Sequence, residues 1–343
     1  MTIDRISLPD RISLLDQLGN HLLGEDELLR AVMQRSYHHN QWFTMNNQER
    51  AIRSIAEEYL NGDKLKAWIK PYAIGEPDTI KTIGLVMAGN IPLVGFHDWL
   101  SVFVVGHRAQ VKLSEKDQFL FPYLIKVLTS FDARVEQYVD FVPKLKDFDA
   151  VIATGSNNSS RYFSAYFSKY PHIIRKNRNA VAVLDGTETK AELERLGEDV
   201  FQFFGLGCRN VAKLYVPRGY DFEPLLEALH EFRDLVLHNK YKNNFDYNYA
   251  IYVMNKTEYM ANGCVVLSEN DAIASHIAGL YYEYYDDRDT LVKDLQHRSE
   301  AIQCVVGHES VAQLPTFPFG QAQRPALDDY ADGIDTLDFL RKL

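Results

Sequence analysis

Short apolar runs alternate with helical stretches along most of the chain. The first four runs are TIGLVMA, AQVKLS, AVIAT and AVAVLD, at 82–88, 109–114, 150–154 and 180–185. Helical stretches are predicted between and after them, at 94–106, at 117–130, from Asn157 onwards and at roughly 189–204. Strands that are apolar on both faces are typical of parallel sheets covered by helices. The pattern therefore predicts an α/β fold with a doubly wound parallel sheet.

An amphipathic helix is predicted before the first of these strands, over 47–69. Its apolar face consists of Ile52, Ile55, Ala56 and Tyr59, which recur at helical spacing. The pair Asn46 and Glu49 is similar to a capping box at the helix start. We expect this helix to open the ordered part of the chain.

A second α/β series follows the first. Its strands are predicted in NVAKLYVP, YAIYVMN, CVVLSEN and IQCVVG, at 210–217, 249–255, 264–270 and 302–307. Its helices are predicted at 221–237 and from Asp287 onwards. Asn262-Gly263, directly before CVVL, predicts a tight turn, because both residues tolerate positive φ. We place the domain boundary near 185–189, which gives a first domain over 1–186, a second over 187–310 and a C-terminal segment over 311–343.

Length, composition and charge indicate a globular protein of two domains. The chain has 343 residues, of which 46% are apolar and 24% charged, close to the globular average. The formal net charge is −10 and no long basic tract occurs, so a nucleic acid is not expected as a partner. Three cysteines without a CxxC pair argue against a disulfide framework and a zinc ribbon. We therefore expect a reducing, cytoplasmic environment.

Neither an export signal nor a membrane span is predicted. Charged residues recur through the first 16 positions and leave no apolar core for a signal peptide, so we expect the mature chain to start near Met1. The one strongly apolar stretch, 82–106, is interrupted by polar residues and a proline between Asn90 and Asp98. That stretch is too short between interruptions to cross a bilayer, and it is predicted to form a strand, a turn and a core helix.

Cys208 is the cysteine with the most suitable surroundings for a nucleophile. In FFGLGCRN, Gly205 and Gly207 are expected to end a helix and leave the backbone open, and Arg209 is adjacent. A reactive thiol needs such exposure and nearby donors. The alternative is a small apolar residue in a turn. Cys264 and Cys304 lie in apolar runs, where core packing is expected.

Polar residues follow three of the first-series strands, at the edge where ligands of doubly wound sheets collect. Thr154-Gly155-Ser156 follows AVIA and opens a helix, so it could bind phosphate or simply cap the helix. Lys112, with Glu115 three residues later, could contact a ligand or lie in solvent. Asn90 could be a fixed amide donor or a turn former.

Several other motifs are not supported. The run that begins Gly205-Leu206-Gly207 lacks a third glycine and leads into a strand, unlike a dinucleotide fingerprint, and no GxxxxGK[ST] loop occurs. The histidines show no HExxH spacing, so no metal site is predicted. The aromatic clusters FQFF, YFSAYF and YYEYY could line a substrate channel or pack in the core.

In their order along the chain, four motifs together resemble the aldehyde dehydrogenase superfamily. They are GNIPLVG, GHRAQVKLSEKD, ATGS and GLGC followed by a strand. The short length and the ending FPFGQAQRPALDDYADGIDTLDFL are most similar to the LuxC-type long-chain acyl-CoA reductases. The resemblance covers roughly 81–343. It implies an aldehyde-dehydrogenase-like fold, with a dinucleotide-binding domain in 1–186, a catalytic domain in 187–310 and a segment 311–343 that packs on the cofactor domain or on a partner subunit.

The resemblance also implies roles for individual residues. Catalytic roles fall on Cys208, as the nucleophile, and on Asn90, whose amide joins the Cys208 peptide N–H in an oxyanion hole. Cofactor-binding roles fall on Lys112, Ser114, Glu115, Thr154, Gly155 and Ser156. Of these, the K-x-S-E element at 112–115 matches residues that contact the adenosine ribose, and the T-G-S turn at 154–156 matches residues beside the pyrophosphate.

Two departures from the superfamily pattern affect the expected reaction. The glutamate of the E-L-G-G segment, which activates hydrolytic water, has no counterpart, because no acid occurs between Pro171 and Leu184. A hydrolysing dehydrogenase would lack its base, whereas an acyl-CoA reductase releases a thiol and has less need of one. At the ribose, a carboxylate such as Glu115 favours NAD, yet LuxC-type enzymes use NADPH. We expect NADPH, with NADH as the alternative.

The expected function is reduction of a long-chain fatty acyl-CoA to the aldehyde with NAD(P)H, through an acyl-cysteine. The alternatives are an acyl phosphate reductase, an acyltransferase, and an acyl-binding subunit without hydride transfer. The expected partners are a fatty acyl-CoA or acyl-carrier substrate, an acyl-activating partner subunit, and further copies of the chain in a homo-oligomer.

Overall fold

The computed structural model describes residues 4–311 and 313–343 and divides the chain into two compact units. The first contains the residues up to Asn177 together with Pro325–Leu343, and the second is Arg178–Arg324. Met1, where we expect the chain to start, lies outside the described residues, as does the side chain of Asn157.

From residue 4 onwards, four α-helices precede the first strand of the first unit. They are α1 Leu8–Leu22, α2 Glu27–His39, α3 Met45–Ser54 and α4 Gly62–Ile69. The predicted helix over 47–69 is therefore neither first nor continuous. Its cap is Thr44 rather than Asn46, and it widens into a π-helical turn at Ile55–Tyr59. A new helix then starts, because the Asn61 side chain accepts the backbone N–H groups of Asp63 and Lys64.

The sheet of the first unit contains five parallel strands in the order β3-β2-β1-β4-β5. The strands are β1 Thr82–Val86, β2 Arg108–Lys112, β3 Val139–Phe141, β4 Ala150–Thr154 and β5 His172–Arg175. The intervening helices are α5 Phe96–Val105, α6 Leu120–Phe131 and α7 Asn157–Phe167. Strands β2 and β3 are added on one side of β1 and strands β4 and β5 on the other. The boundary between β1 and β4 is therefore the switch point, where doubly wound sheets bind ligands at their carboxyl edge.

The second unit contains a seven-stranded sheet in the order β12-β11-β6-β7-β10-β9-β8. Its strands are β6 Asn179–Val183, β7 Val211–Pro217, β8 Met260–Ala261, β9 Val266–Glu269, β10 Gly279–Tyr285, β11 Ile302–Val306 and β12 Thr316–Phe317. Its helices are α8 Lys190–Phe201, α9 Glu223–His230, α10 Asn239–Asn255 and α11 Arg288–His297. All pairs are parallel except β8 with β9, which meet at the predicted turn, where Gly263 has a φ of 91°.

The predicted domain boundaries at 186 and 310 are corrected by the strand pairing. β6 pairs with β7 and β11, so the chain enters the second unit at Arg178. β12 pairs with β11, so the chain leaves it only after Arg324. The predicted strand over 249–255 is also wrong, because these residues form the last part of α10. In turn, the aromatic run YYEYY belongs to strand β10.

The last part of the chain returns to the first unit. Helix α12, Thr336–Arg341, packs against α5. The buried Arg175 guanidinium bonds both the Asp98 carboxylate and the Thr336 hydroxyl, which is 2.8 Å away. The Tyr330 hydroxyl accepts the Trp68 indole N–H at 2.8 Å. Among the described residues, no helix is both long and apolar enough to cross a membrane.

Candidate functional site

Seven of the eight predicted site residues follow the carboxyl ends of neighbouring strands in the first unit. Asn90 follows β1, Lys112 ends β2 with Ser114 and Glu115 after it, and Thr154 ends β4 with Gly155 and Ser156 after it. The register aligns Val86 of β1 with Lys112 on one side and Ala153 on the other. The structure therefore gathers these seven residues at one sheet edge, while Cys208 belongs to the second unit.

The loops after β1 and β2 pack directly on each other. A Cβ built on Gly89 would lie 2.5 Å from Ser114 Oγ and 2.6 Å from Ser114 Cβ, so only a glycine fits there. Asp117 makes a second contact, since its carboxylate accepts the Leu93 N–H at 2.8 Å. Leu93 has a φ of 58°, a strained conformation for a branched residue. These contacts connect the loop of Asn90 to the loop of Ser114 and Glu115.

Asp117 was not identified from the sequence, and it is a buried carboxyl group. It is 6% exposed, and its Oδ1 has no hydrogen-bond partner among the described residues. Burial raises the pKa of Asp117 to about 6, although the Leu93 N–H opposes this shift. The only sequence signal is its position two residues after Glu115.

The end of α2 holds the other side of the Glu115 loop. His39 Nε2 lies 2.6 Å from the Glu115 carbonyl oxygen, to which it donates. The Asn40 amide donates to the Lys116 carbonyl at 3.2 Å. The side chains of Lys112 and Glu115 stay exposed, so the loop is fixed through its backbone while these two side chains remain accessible to a ligand.

The turn from Thr154 to Ser156 caps α7. Ser156 Oγ accepts the Ser159 N–H at 3.2 Å. A Cβ on Gly155 would lie 2.9 Å from Ser159 Cβ and 2.8 Å from the Phe163 ring, so the turn is closely packed on the first turn of the helix. The capping interpretation is therefore confirmed, and the phosphate interpretation stays a prediction.

Cys208 lies on a turn at the amino end of β7. It is partly exposed, whereas Cys264 and Cys304 are fully buried, as expected for core residues. Burial raises the pKa of the Cys264 thiol to about 12. All three cysteines are described, and none forms a disulfide. Accessibility therefore distinguishes Cys208 from the other two thiols.

The backbone before Cys208 has an unusual conformation. Phe203, Phe204 and Gly205 have φ values of 54°, 59° and 74°, so three consecutive residues are left-handed. Two of them are buried phenylalanines, for which this conformation is unfavourable. Such a segment persists only where its surroundings hold it in place.

Asn210 forms hydrogen bonds to residues on both sides of this segment. Its Nδ2 lies 2.9, 3.3 and 2.8 Å from the carbonyl oxygens of Asp199, Val200 and Gln202. Its Oδ1 accepts the Gly207 N–H at 2.8 Å. From the sequence, Asn210 was only the first residue of a strand, and nothing in the local pattern indicates this role.

Asp199, at the end of α8, binds a segment far away in the chain. Its carboxylate accepts the N–H groups of Gly320 and Ala322 at 2.6 and 3.0 Å. The residue is fully buried, and burial raises the pKa of its carboxyl to about 7 against these two hydrogen bonds. Nearby, the Arg209 guanidinium lies 5.2 Å from the centre of the Phe317 ring. The FPFG segment is thus packed beside the Cys208 turn.

One group of potential metal ligands occurs among the described residues. Ligand atoms of Asp185, Glu188 and His308 lie within 4.8 Å of one another, after the carboxyl ends of β6 and β11. Glu188 already accepts the N–H groups of Asp185 and Gly186. Cys208 precedes β7, so it lies at the opposite edge of this sheet. The absence of a metal site stays a prediction.

Comparison with known proteins shows the fold. The sequence matches no protein-family model and no curated protein. Similar solved structures include an NAD-dependent aldehyde dehydrogenase from Sinorhizobium meliloti, at a TM-score of 0.66 and 13% identity over 89% of this chain and 71% of that one. An oxidoreductase from Marinobacter aquaeolei gives 0.68 and 10% over 91% and 76%. The NAD+ complex of an aldehyde dehydrogenase from Bacillus cereus gives 0.61 and 14% over 88% and 72%. The chain therefore has the aldehyde-dehydrogenase-like α/β fold.

Proposed function

We propose that this protein reduces a long-chain fatty acyl-CoA to the aldehyde, with NADPH as the cofactor and a thioester on Cys208. The observation that carries the proposal is the Cys208 turn. It places a partly exposed thiol before the first residue of a parallel strand, and the turn is bonded to the buried Asn210 side chain. The chain has the aldehyde-dehydrogenase-like fold. A nucleophilic thiol must be accessible to its substrate, and a fixed backbone keeps it in position for attack.

The carboxyl edge of the first sheet fits a dinucleotide. The strand order places the switch point between β1 and β4, beside the amino end of α7. Gly155 provides a turn without a side chain at that helix end, and the exposed Lys112 and Glu115 offer groups for ribose hydroxyls. When bound, NAD(P)H supplies the hydride. The residues of this edge hold and orient the cofactor.

Cys208 carries the acyl group in the proposed reaction. Its thiolate attacks the thioester carbonyl, the bond from the acyl carbon to the CoA sulfur breaks, and CoA leaves as the thiol after taking up a proton. The Cys208 peptide N–H donates to the carbonyl oxygen as it becomes negative, and one such donor contributes roughly 3 kcal/mol. We propose Asn90 as a second donor on the resemblance alone. Reduction of the thioester gives a hemithioacetal on Cys208, whose collapse releases the aldehyde and restores the thiol.

The composition of 171–184 supports thioester reduction over aldehyde oxidation. This segment contains the whole of β5 and β6, and it has no aspartate or glutamate. Hydrolysis of an acyl-cysteine needs a base to activate water. In the proposed direction the acyl group arrives as a thioester and no water is activated, so this absence is compatible with the reaction.

The test measures NADPH and NADH oxidation with palmitoyl-CoA while the aldehyde is trapped as a hydrazone. Wild type is compared with Cys208→Ala and with Cys264→Ala, which removes a buried thiol and keeps the exposed one. We expect Cys208→Ala to abolish both cofactor oxidation and aldehyde formation, and Cys264→Ala to retain both.

Other outcomes would identify the rival functions. Acylation of Cys208 without cofactor oxidation would indicate an acyltransferase, and activity with an acyl phosphate alone would indicate an acyl phosphate reductase. Binding of acyl-CoA that survives Cys208→Ser without turnover would indicate an acyl-binding subunit. A homo-oligomer and an acyl-activating partner subunit are proposed by analogy, and gel filtration with and without a cell extract from the source organism tests both.

A further inference from the structure

Asn210 connects three parts of the second unit through one buried side chain. It is 1% exposed. Its amide nitrogen has two N–H groups and three carbonyl acceptors at the end of α8 and in the turn after it, so at least one N–H is shared. Its amide oxygen accepts the Gly207 N–H. A single amide group thus joins the end of α8 to Gly207, the residue directly before Cys208.

The main chain of Asn210 closes the turn that contains Cys208. The Asn210 N–H donates to the Gly207 carbonyl at 3.1 Å, which makes Gly207–Asn210 a four-residue turn with Cys208 and Arg209 at its centre. The Asn210 carbonyl accepts the Ala180 N–H from β6 at 3.0 Å. Gly207, at one end of the turn, is therefore bonded through its carbonyl and its N–H to Asn210 at the other end, and Asn210 is bonded to the sheet.

The left-handed segment before the turn needs this attachment. Gln202, whose carbonyl accepts from Asn210, directly precedes Phe203 and Phe204. Two buried phenylalanines in the left-handed region are strained, and such a conformation persists only where the surroundings fix it. Without the Asn210 amide, the chain from 202 to 207 would have a more favourable conformation available, and the Cys208 peptide would turn with it.

We propose that Asn210 is a positioning residue for the acylation step, which orients the Cys208 peptide N–H toward the carbonyl oxygen of the substrate. This inference rests on the proposed function. Asparagine suits the position because it combines an acceptor for Gly207 with donors for three carbonyls. Serine is too short to reach both sides, and aspartate would place an oxygen against those carbonyls.

The chain offers a matched control in Asn262. This residue also lies two positions from a cysteine in a turn of the second unit: its Oδ1 accepts the N–H groups of Cys264 and Val265, and its Nδ2 donates to the Leu226 carbonyl. Asn262→Ser therefore removes a comparable set of hydrogen bonds without altering the Cys208 turn. Comparison of the two variants separates loss of stability from loss of position.

The experiment compares Asn210→Ser with Asn262→Ser in three measurements: thermal unfolding, the rate of Cys208 alkylation by iodoacetamide, and kcat and KM for palmitoyl-CoA reduction. Alkylation displaces iodide and creates no oxyanion, so it reports only on access to the thiol. We expect Asn210→Ser to lower kcat by about 10²-fold, with KM for NADPH and the alkylation rate changed by less than about threefold. We expect Asn262→Ser to lower the unfolding temperature and leave kcat within about twofold.

Two results would overturn the inference. One is a kcat for Asn210→Ser within about threefold of wild type. The other is a fall in kcat that only parallels a loss of thermal stability, as in Asn262→Ser. If Asn210→Ser does not fold, hydrogen exchange of the wild-type peptide over 203–210 decides: slow exchange supports a fixed turn, and complete exchange within seconds refutes it. An inactive wild type would refute the proposed function. Alkylation and hydrogen exchange need no acyl-CoA, so these two measurements could still be interpreted.

Discussion

The contact between Gly89 and Ser114 gives a direct test of how the two loops at the first sheet edge are joined. In Gly89→Ala the new methyl group would lie 2.5 and 2.6 Å from Ser114 Oγ and Cβ, well inside van der Waals contact. Rotation of the serine side chain does not relieve this, because its Cβ is itself too close. One of the two backbones must move, and overpacking of this kind costs about 1–3 kcal/mol.

Urea unfolding, monitored by tryptophan fluorescence, measures this cost in the first unit. All three tryptophans, Trp42, Trp68 and Trp99, lie in the first unit, so their emission reports on its unfolding. Gly75→Ala is the control, because a Cβ there meets nothing within 4 Å. We expect Gly89→Ala to lower the free energy of unfolding by about 2 kcal/mol, and Gly75→Ala to change it by less than about 0.5 kcal/mol.

A rescue variant shows whether the contact is the cause. Ser114→Gly removes both clashing atoms, at the expense of the Ser114 Oγ contact with the Lys116 N–H. In that background Gly89→Ala should cost at least about 1 kcal/mol less than in wild type, which is a measurable coupling for residues in contact. Equal costs in the two backgrounds would refute the argument. Since these loops carry Asn90 and Glu115, we also expect Gly89→Ala to weaken NADPH binding in titrations.

Three further substitutions have defined outcomes. Burial raises the pKa of Asp117 to about 6 in the folded protein, so the proton bound there stabilises the fold below about pH 4, and that contribution is lost as the pH rises through 6. Asp117→Asn should remove this decrease in the free energy of unfolding between pH 4 and 7, which is at most about 3 kcal/mol. Urea titrations monitored by tryptophan fluorescence measure it, and a pH dependence equal to that of wild type would contradict the prediction. Asp199, with a pKa raised to about 7, should behave in the same way in the second unit. Calorimetry of Asp199→Asn should therefore show a weaker decline in unfolding temperature from pH 4 to 7.5 than wild type shows. An equal decline would count against a raised pKa at Asp199. Glu115→Gln should raise kcat/KM with NADPH relative to NADH several-fold, because a carboxylate at the ribose opposes a 2′-phosphate; an unchanged ratio would show that Glu115 does not face the ribose.

The strands with long apolar runs were predictable, and the errors have physical causes. The segment 249–255 contains tyrosine, isoleucine and valine, which favour strands, yet it completes a helix. Tyr241 is the only buried residue of that helix. The His238 side chain caps its start, and Lys256 ends it in a left-handed conformation. Local composition predicts the wrong secondary structure here, because the caps at the two helix ends favour a helix. The edge strand β3 has three residues and β12 has two, too few for a periodic signal.

The candidate site was predictable where residues follow strands, and not where they depend on distant partners. Lys112 ends β2 and Asn90 lies shortly after β1, and the carboxyl ends of parallel strands meet at one edge whatever the loops do. Asp117 acquires its role by contact with Leu93, and Asp199 by contact with Gly320, more than a hundred residues later in the chain. Neither pairing leaves a mark on local sequence, because each depends on which loops the fold brings together.

The return of the chain to its first unit has a consequence for synthesis on the ribosome. The partners Arg175 and Thr336 are separated by the whole of the second unit, so the first sheet is translated long before α12, which packs against α5, emerges. At about 5–20 residues per second the delay is on the order of ten seconds. During that time the buried Arg175 side chain has only Asp98 of its two partners, and the surface that later receives α12 is open to chaperones. The second unit is contiguous and is fully translated before α12, so the unit that begins second is the first to have all of its residues.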